Sequence, residues 1–230
     1  MTDVPGPLLA SGRAADVYDI GDGKVLRRYR TRPSGAELDA ALEARAMAHV
    51  RARGYPVPEV HDVDGVDLVM DRIDGPTMLE ALEAAPWKVI WHARVLARLQ
   101  RKLARIAAPD WMLAASADAD HAQSVLHLDL HPMNVILSSK GPVVIDWTNA
   151  AGGPQGFDGA LTFVEISTFP TDGLVDRIGQ QVFARSFRWF RGKRVIAPFL
   201  KAACDHRLGD SGLLPEERVA VAALRRRLAT

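Results

Sequence analysis

A single cysteine, Cys204, stands in 230 residues, which excludes an intramolecular disulfide and any zinc site built from several thiolates. No window reaches the roughly 18 consecutive apolar residues that a transmembrane helix needs. The opening Met1–Pro7 has no basic region followed by an apolar run, so it does not read as a secretory leader. Charge of one sign is also scarce: 29 Lys and Arg against 28 Asp and Glu leave a net +1, which predicts neither a nucleic-acid nor a membrane partner. Repeats and low-complexity tracts are missing as well. What remains is the expectation of a soluble, cytoplasmic globular protein. A chain of this length buries roughly 70% of its unfolded surface and needs no covalent staple.

The first seventy residues read as strands with one helix. Leu8–Tyr18 is apolar, then small around Gly12, then apolar again, the pattern of two strands joined by a turn. Asp22-Gly23 marks a hairpin tip, and residues 25–29 return as the next strand. Glu37–Arg53 carries Leu38, Leu42, Met47 and Val50 at near-helical spacing, with Gly54 as its stop. Strands at 59–63 and 67–70 follow, and Asp74-Gly75-Pro76 breaks the pattern. This predicts an N-terminal lobe over 1–73 and a C-terminal lobe over 74–230.

Helices dominate the second part: 89–107, 161–167, 174–191, 195–208 and 215–228, with a hairpin around 138–142 and loops at 108–120 and 150–154. Strands first and helices later predict an α+β chain with a small antiparallel sheet lobe and a mainly helical lobe.

The richest stretch is His127-Leu-Asp129-Leu-His131-Pro-Met-Asn134, followed by Ile145-Asp146-Trp147. Two chemistries fit it. His127, Asp129 and His131 could alternate along a strand and bind a divalent metal for hydrolysis. Alternatively, Asp129 is a base beside a substrate hydroxyl, while Asn134 and Asp146 supply hard oxygens to Mg²⁺ on a nucleoside triphosphate. Pro132 weakens the first reading, since it interrupts a continuing strand.

These motifs resemble the aminoglycoside phosphotransferase-like branch of the protein-kinase-like fold, whose members phosphorylate antibiotics, choline and other small alcohols. The resemblance implies a two-lobe, Mg²⁺-dependent, ATP- or GTP-using phosphotransferase with Asp129 as catalytic base and Asn134 and Asp146 as metal ligands. It places Gly12 in the phosphate-covering turn, with alanines at the outer glycine positions, and Val17 over the adenine. The phosphate-gripping lysine position falls on 25–28. Strand alternation, pairing Val25 with residue 27 on one face, selects Arg27 over Arg28 or Lys24. Glu43, with Glu37 as its rival, would pair with that cation. The backbone of Asp71 and Ile73 would bind the purine. His127 and Asp158 would support the catalytic loop. Leu128 replaces the usual glycine before the catalytic aspartate, and Met133 replaces a small residue before Asn134; both read either as tolerated inward-facing apolar positions or as residues that narrow the site.

After Asp146 the chain carries twelve Lys and Arg against eight acids. A polycationic aminoglycoside wants a carboxylate-lined pocket, so among sugars, amino alcohols and aminoglycoside-like antibiotics this balance favours an alcohol-bearing metabolite or sugar. The alternative is a catalytically weak or inactive kinase-like protein that only binds nucleotide or ligand. Phe183, Phe187 and Phe190 recur at helical spacing and read as core. Arg225–Arg227 reads as a solvated helix end, and Cys204 as a buried small apolar residue.

Overall fold

A computed structural model describes residues 6–12, 14–30, 40–115, 124–171, 173–210 and 212–228. Glu37, the loop residues 116–120 and most of the segment before the first helix lie outside the described residues. The chain forms two compact units, one from residues 1–76 with 136–150, the other from 77–135 with 151–230. The first unit therefore draws on a second stretch of chain beyond the sequence boundary at residue 73.

The first unit is built on a five-stranded antiparallel sheet: β1 (Leu8–Ser11), β2 (Ala15–Gly21), β3 (Lys24–Tyr29), β4 (Val60–Asp64) and β5 (Asp67–Asp71), in the spatial order β1-β2-β3-β5-β4. The β2–β3 tip turns through Asp22 and Gly23 at φ 50° and 68°, the doubly left-handed geometry that Asp-Gly hairpins favour. Strand β3 alternates cleanly: Val25, Arg27 and Tyr29 are buried and their neighbours half-buried. Helix α1 (Ala40–Arg51) buries Glu43, Met47 and Val50, one face at near-helical spacing.

The second unit opens with α2 (Met78–Ala84), whose start is fixed by a reciprocal cap. The Glu80 N–H donates to Thr77 Oγ1 at 3.2 Å and the Thr77 N–H to Glu80 Oε2 at 2.7 Å. Helix α3 (Val89–Leu103) follows a short 3₁₀ turn at 86–88 and stops four residues before the expected end. There the backbone tightens to an Ile106 N–H bond on Leu103, and Ala107 bridges to Ser124.

Strand β6 (Ser124–Leu126) leads to a 3₁₀ turn at Pro132–Asn134 and to β7 (Val135–Ser138) and β8 (Gly141–Val144), which pair with each other. The expected loop at 150–154 is corrected: Ala151–Gly153 is a buried strand, β9, paired antiparallel with β6. Its two glycines carry no side chains to display a period-two pattern, so the segment looked like a linker.

Helix α4 (Gln155–Thr168) starts six residues earlier than periodicity indicated, behind Pro154 as its N-cap. Helix α5 (Leu174–Arg191) lies over the expected range, bounded by Gly173 and Gly192. The expected helix 195–208 is broken into α6 (Lys193–Ile196), a 3₁₀ turn around Pro198 and α7 (Leu200–Gly209). Proline has no N–H to continue the ladder. Helix α8 (Pro215–Arg227) closes the chain with proline in its first turn.

The core of this unit gathers Leu126, Leu128, Phe157, Leu161, Val164, Leu200, Cys204 and Val221. Phe183 and Phe187 are buried as expected, Phe190 is only half-buried, and Trp189 is exposed. Among the described residues no helix is long and apolar enough to cross a membrane.

Candidate active site

In the first unit the sheet gathers an ion cluster around Arg27. Its guanidinium Nη2 donates to Asp146 Oδ1 at 2.6 Å and to Thr148 Oγ1 at 2.9 Å, while Nη1 lies 3.6 Å from Glu43 Oε1. The Thr148 hydroxyl donates to Asp146 Oδ1 at 2.8 Å, and the Tyr29 hydroxyl is 3.2 Å from it. Glu43 Oε1 also accepts the Trp147 N–H at 2.9 Å, tying α1 to the segment that carries Asp146.

Register explains why Arg27 faces this cluster. Val17 on β2 is directly opposite Arg27, so Val17, Val25 and Arg27 share one face of the sheet.

Burial sets the electrostatics. It pushes the Glu43 carboxyl up to about 7, and the negative charge of Asp146 adds to this. The Arg27 guanidinium and the Trp147 N–H pull the other way without prevailing. Burial works against the charge on Arg27, but Glu43 and Asp146 outweigh it and hold the guanidinium above its ordinary value. Asp146 itself has φ +62°, a left-handed conformation that aspartate tolerates better than most residues.

Gly12 sits in the turn between β1 and β2, its N–H donating to Ala15 O at 2.9 Å. Among the described residues a Cβ there would meet only Ala15 O, at 3.5 Å, so none of them demands glycine at this position. Asp71 ends β5 with its N–H bonded to Glu59 O at 2.9 Å. Burial raises its carboxyl, but the Glu59 N–H and the His61 ring outweigh that and hold it below the ordinary value. Ile73 lies just beyond the strand, and its N–H makes no backbone bond among the described residues.

The second unit holds the other candidates. Asn134 Nδ2 donates to the Asp129 carbonyl at 2.8 Å and to Asp129 Oδ2 at 3.2 Å, closing the loop between them. Asp158, buried in the first turns of α4, accepts the Leu128 N–H at 2.8 Å and a second backbone bond from His127. Burial raises its pKa, opposed by His127, these two N–H groups and Arg191.

Gln100 Nε2 donates to Asp158 Oδ2 at 3.2 Å and to Thr162 Oγ1 at 2.9 Å, and Thr162 in turn donates to Leu130 O at 2.9 Å. Arg191 braces Gln100 and the Gln155 carbonyl. The 127–131 backbone is therefore fixed from α3, α4 and α5 at once.

Leu128 pays for its place with φ +63°. A left-handed non-glycine residue costs roughly 1–2 kcal/mol, whereas burying its side chain in the core offsets about 1.5–3 kcal/mol, so packing wins. Met133, expected to face inward, is exposed.

The metal-strand alternative is not supported. The strand ends at Leu126, and the left-handed Leu128 breaks the alternation that would have aligned the three side chains. His127 is fully buried, and His131 Nδ1 accepts the Met133 N–H at 3.3 Å while Nε2 lies 3.4 Å from Asp129 Oδ1. Among the described residues no group of three or more His, Cys, Asp or Glu could hold a metal ion.

Sequence reasoning missed Thr148, Gln100, Thr162, Arg191 and Glu165. Glu165 is buried seven residues after Asp158 on the same face of α4. Burial, then the Asp129 carboxylate, pushes its pKa well above the ordinary value against the pull of Arg207. The available signal was two acids at helical spacing in an otherwise apolar helix.

The antiparallel sheet followed by helices, with these two loops, defines a protein-kinase-like α+β fold. Solved structures of that fold match nearly the whole chain. A thermostable mutant of aminoglycoside phosphotransferase APH(4)-Ia, in ternary complex with AMP-PNP and hygromycin B, is 17% identical with a TM-score of 0.63, covering 97% of this chain and 91% of that one. The ethanolamine kinase of Plasmodium vivax is 11% identical with a TM-score of 0.61, covering 97% and 81%.

The chain belongs to the APH phosphotransferase enzyme family, which it matches over residues 6–108 and 69–199. A probable serine/threonine-protein kinase of Archaeoglobus fulgidus, a BUD32 homolog, is 28% identical over 127 residues, 54% of this chain and 53% of that protein. A probable serine/threonine-protein kinase of Streptomyces coelicolor is 27% identical over 199 residues, 79% of this chain and 27% of that protein. The chain thus spans about half, and about a quarter, of the lengths of these two relatives.

Proposed function

We propose that the protein is an ATP-dependent phosphotransferase that moves the γ-phosphoryl group to a hydroxyl of a small molecule, with GTP as the alternative donor. The observation that carries this reading is the buried Arg27, braced by Glu43 at 3.6 Å and by Asp146 at 2.6 Å. A buried cation on a sheet face shared with Val17 and Val25 suits the phosphates of a nucleotide whose base lies against those valines. Gly12 lets the β1–β2 turn approach the phosphates, and the Asp71 carbonyl and Ile73 N–H take the purine edge. The solved relatives include a complex with AMP-PNP and hygromycin B and an ethanolamine kinase, which supports the nucleotide and a small alcohol as partners.

Asp129 is assigned as the base that holds the acceptor hydroxyl and takes its proton as the new O–P bond forms. The bond from the γ-phosphorus to the bridging oxygen breaks, and the nucleoside diphosphate leaves. Asn134 fixes the Asp129 carboxylate through its amide N–H, while Asp158 and His127 hold the loop backbone.

The donors assigned to a divalent cation, the Asn134 amide oxygen and the Asp146 carboxylate, are hard oxygens. One or two such groups suffice for Mg²⁺, because phosphate and water complete its octahedron. When bound, Mg²⁺ supplies neutralisation of phosphate charge. The chain's own residues do the positioning.

The acceptor is assigned to sugars, amino alcohols or related metabolites ahead of a polycationic antibiotic. Family membership favours turnover over the non-catalytic binding alternative.

The test is the melting temperature with ATP or GTP, each with and without Mg²⁺, followed by nucleotide consumption across a panel of alcohols. A ligand at about 100 times its dissociation constant adds about 2.7 kcal/mol. Stabilisation requiring both nucleotide and Mg²⁺, with consumption stimulated by one acceptor class, supports the reading; a flat response throughout refutes it.

A further inference from the structure

Charge in this chain is segregated in a way its net +1 conceals. Residues 84–109 carry six Lys and Arg and no acid, and residues 177–204 carry seven and no acid. These stretches hold thirteen of the 29 cations, so the rest of the chain is left with sixteen against 28 acids. They are not scattered in space: helix α3, which lies within the first, and α5, which lies within the second from Arg177 onward and carries one acid, Asp176, in its first turn, pack directly on each other.

The outward faces of this pair combine cations with large apolar groups. On α3 and the turn before it, Trp87, Trp91, Arg94 and Arg98 recur at helical spacing and all are exposed, Trp87 at 78%. On α5, Leu174, Ile178, Arg185 and Trp189 stand at i, i+4, i+11 and i+15, again one exposed face, with Trp189 at 67%. Val175 beside them is 81% exposed.

A cavity of about 470 Å³ between the two helices is lined by Ile90, Arg185, Arg188, Trp189, Phe190 and Lys193. Arg94, Arg98, Arg185 and Lys193 have no carboxylate partner among the described residues. Lys193 and Arg94 lie instead over the rings of Trp189 and Phe190, at 5.0 and 6.0 Å.

We propose that this α3–α5 face docks the protein on an anionic lipid surface. Arg94, Arg98, Arg185 and Lys193 outnumber the one acid at the rim of this face, Asp176, and complement a negatively charged headgroup layer, where each cation contributes about 1 kcal/mol. Tryptophan settles at the boundary of water and acyl chains. The aliphatic side chains decide between lipid and nucleic acid. Leu174, Val175 and Ile178 have no base to stack on, whereas a shallow acyl layer buries them. The sequence-based expectation of no membrane partner rested on a net charge averaged over this polarity and on the lack of a spanning segment, and surface docking depends on neither.

The experiment is co-sedimentation of the full chain with phosphatidylcholine vesicles, with and without phosphatidylserine, at low and high salt. The expected result is partitioning that requires phosphatidylserine and is lost at high salt. It should be accompanied by a blue shift of tryptophan emission, because three of the five tryptophans lie on this face.

Neutralising Arg94, Arg98 and Arg185 to Gln should weaken partitioning about fivefold per cation and about a hundredfold together, whereas Lys140→Gln with Arg226→Gln, cations elsewhere on the surface, should change it little. Trp87→Ala with Trp189→Ala should remove the emission shift. Because all of these side chains are exposed, melting temperatures should stay at the wild-type value. Equal partitioning of the triple Gln variant and wild type overturns the proposal. So does the absence of vesicle binding at low salt, or capture of a single-stranded oligonucleotide without vesicle binding.

Discussion

Arg27 and Asp146, 119 residues apart in sequence, meet through a 2.6 Å charge-assisted hydrogen bond that the Thr148 hydroxyl shares. The guanidinium is almost wholly buried, and its second approach, to Glu43, is longer at 3.6 Å. The cation is therefore the hub on which the sheet, α1 and the 146–148 segment converge. In the proposed function it is also the group that meets the nucleotide phosphates.

Removing the cation should expose how much the unit depends on it. Arg27→Met leaves the buried Glu43 carboxyl without its cation beside a partly exposed Asp146 and should cost about 3 kcal/mol, the lower end for breaking a buried pair, moderated by protonation of Glu43. Arg27→Lys keeps the charge but cannot reproduce the planar fork that reaches Asp146 and Thr148 together, so a smaller loss of about 1–2 kcal/mol is expected. Denaturant melts of both variants measure this, and a wild-type midpoint for Arg27→Met would contradict it.

Glu43 gives the stability a defined pH dependence. Its carboxyl is raised from 4.5 to about 7, so between those values the native state keeps a proton that the unfolded chain has released. Stability from this group therefore falls as pH rises through that window, by up to about 1.4 kcal/mol per unit, and is level above it. Glu43→Gln should remove the slope between about pH 5 and 7 in nucleotide-free protein. Parallel pH–stability profiles for variant and wild type would show that Glu43 is not the titrating group.

Two glycines should behave oppositely. Gly75 adopts φ +144°, and a Cβ on it would lie 2.4 Å from Leu137 O, where the backbone is pinned by the Leu137 N–H bond to Pro76 O. Gly75→Ala should cost about 2 kcal/mol or more. Gly12→Ala fits the free protein, so its melting temperature should match wild type while nucleotide-induced stabilisation shrinks. Unchanged nucleotide response would remove Gly12 from the phosphate site.

Much of this was legible one element at a time. Alternation along β3 separated Arg27 from Arg28 and Lys24 at the position the family resemblance supplied, the likeness of the Glu43–Met47 run to the family's marked Glu43 ahead of Glu37, and Asp22-Gly23 announced the hairpin. These signals are local, each needing only a few neighbouring residues. Thr148, Gln100, Thr162 and Arg191 were invisible because each acts on a partner distant in sequence, as when Gln100 reaches Asp158 across 58 residues. Met133 was misplaced for a related reason: its direction is set by the 3₁₀ turn at 132–134, which comparing residue sizes along the motif does not reveal. The strand at 151–153 was hidden by its own composition, since glycines announce turns more loudly than pairing.

The most direct test of the central claim compares Asp129→Asn with wild type in acceptor-dependent consumption of ATP, with the Mg²⁺–nucleotide melting shift measured on the same samples. Loss of a general base costs about 10²–10⁴-fold in rate. The account predicts a fall of that size with the melting shift intact, because Asp129 is assigned to the acceptor and not to the nucleotide. Wild-type turnover by Asp129→Asn would contradict it.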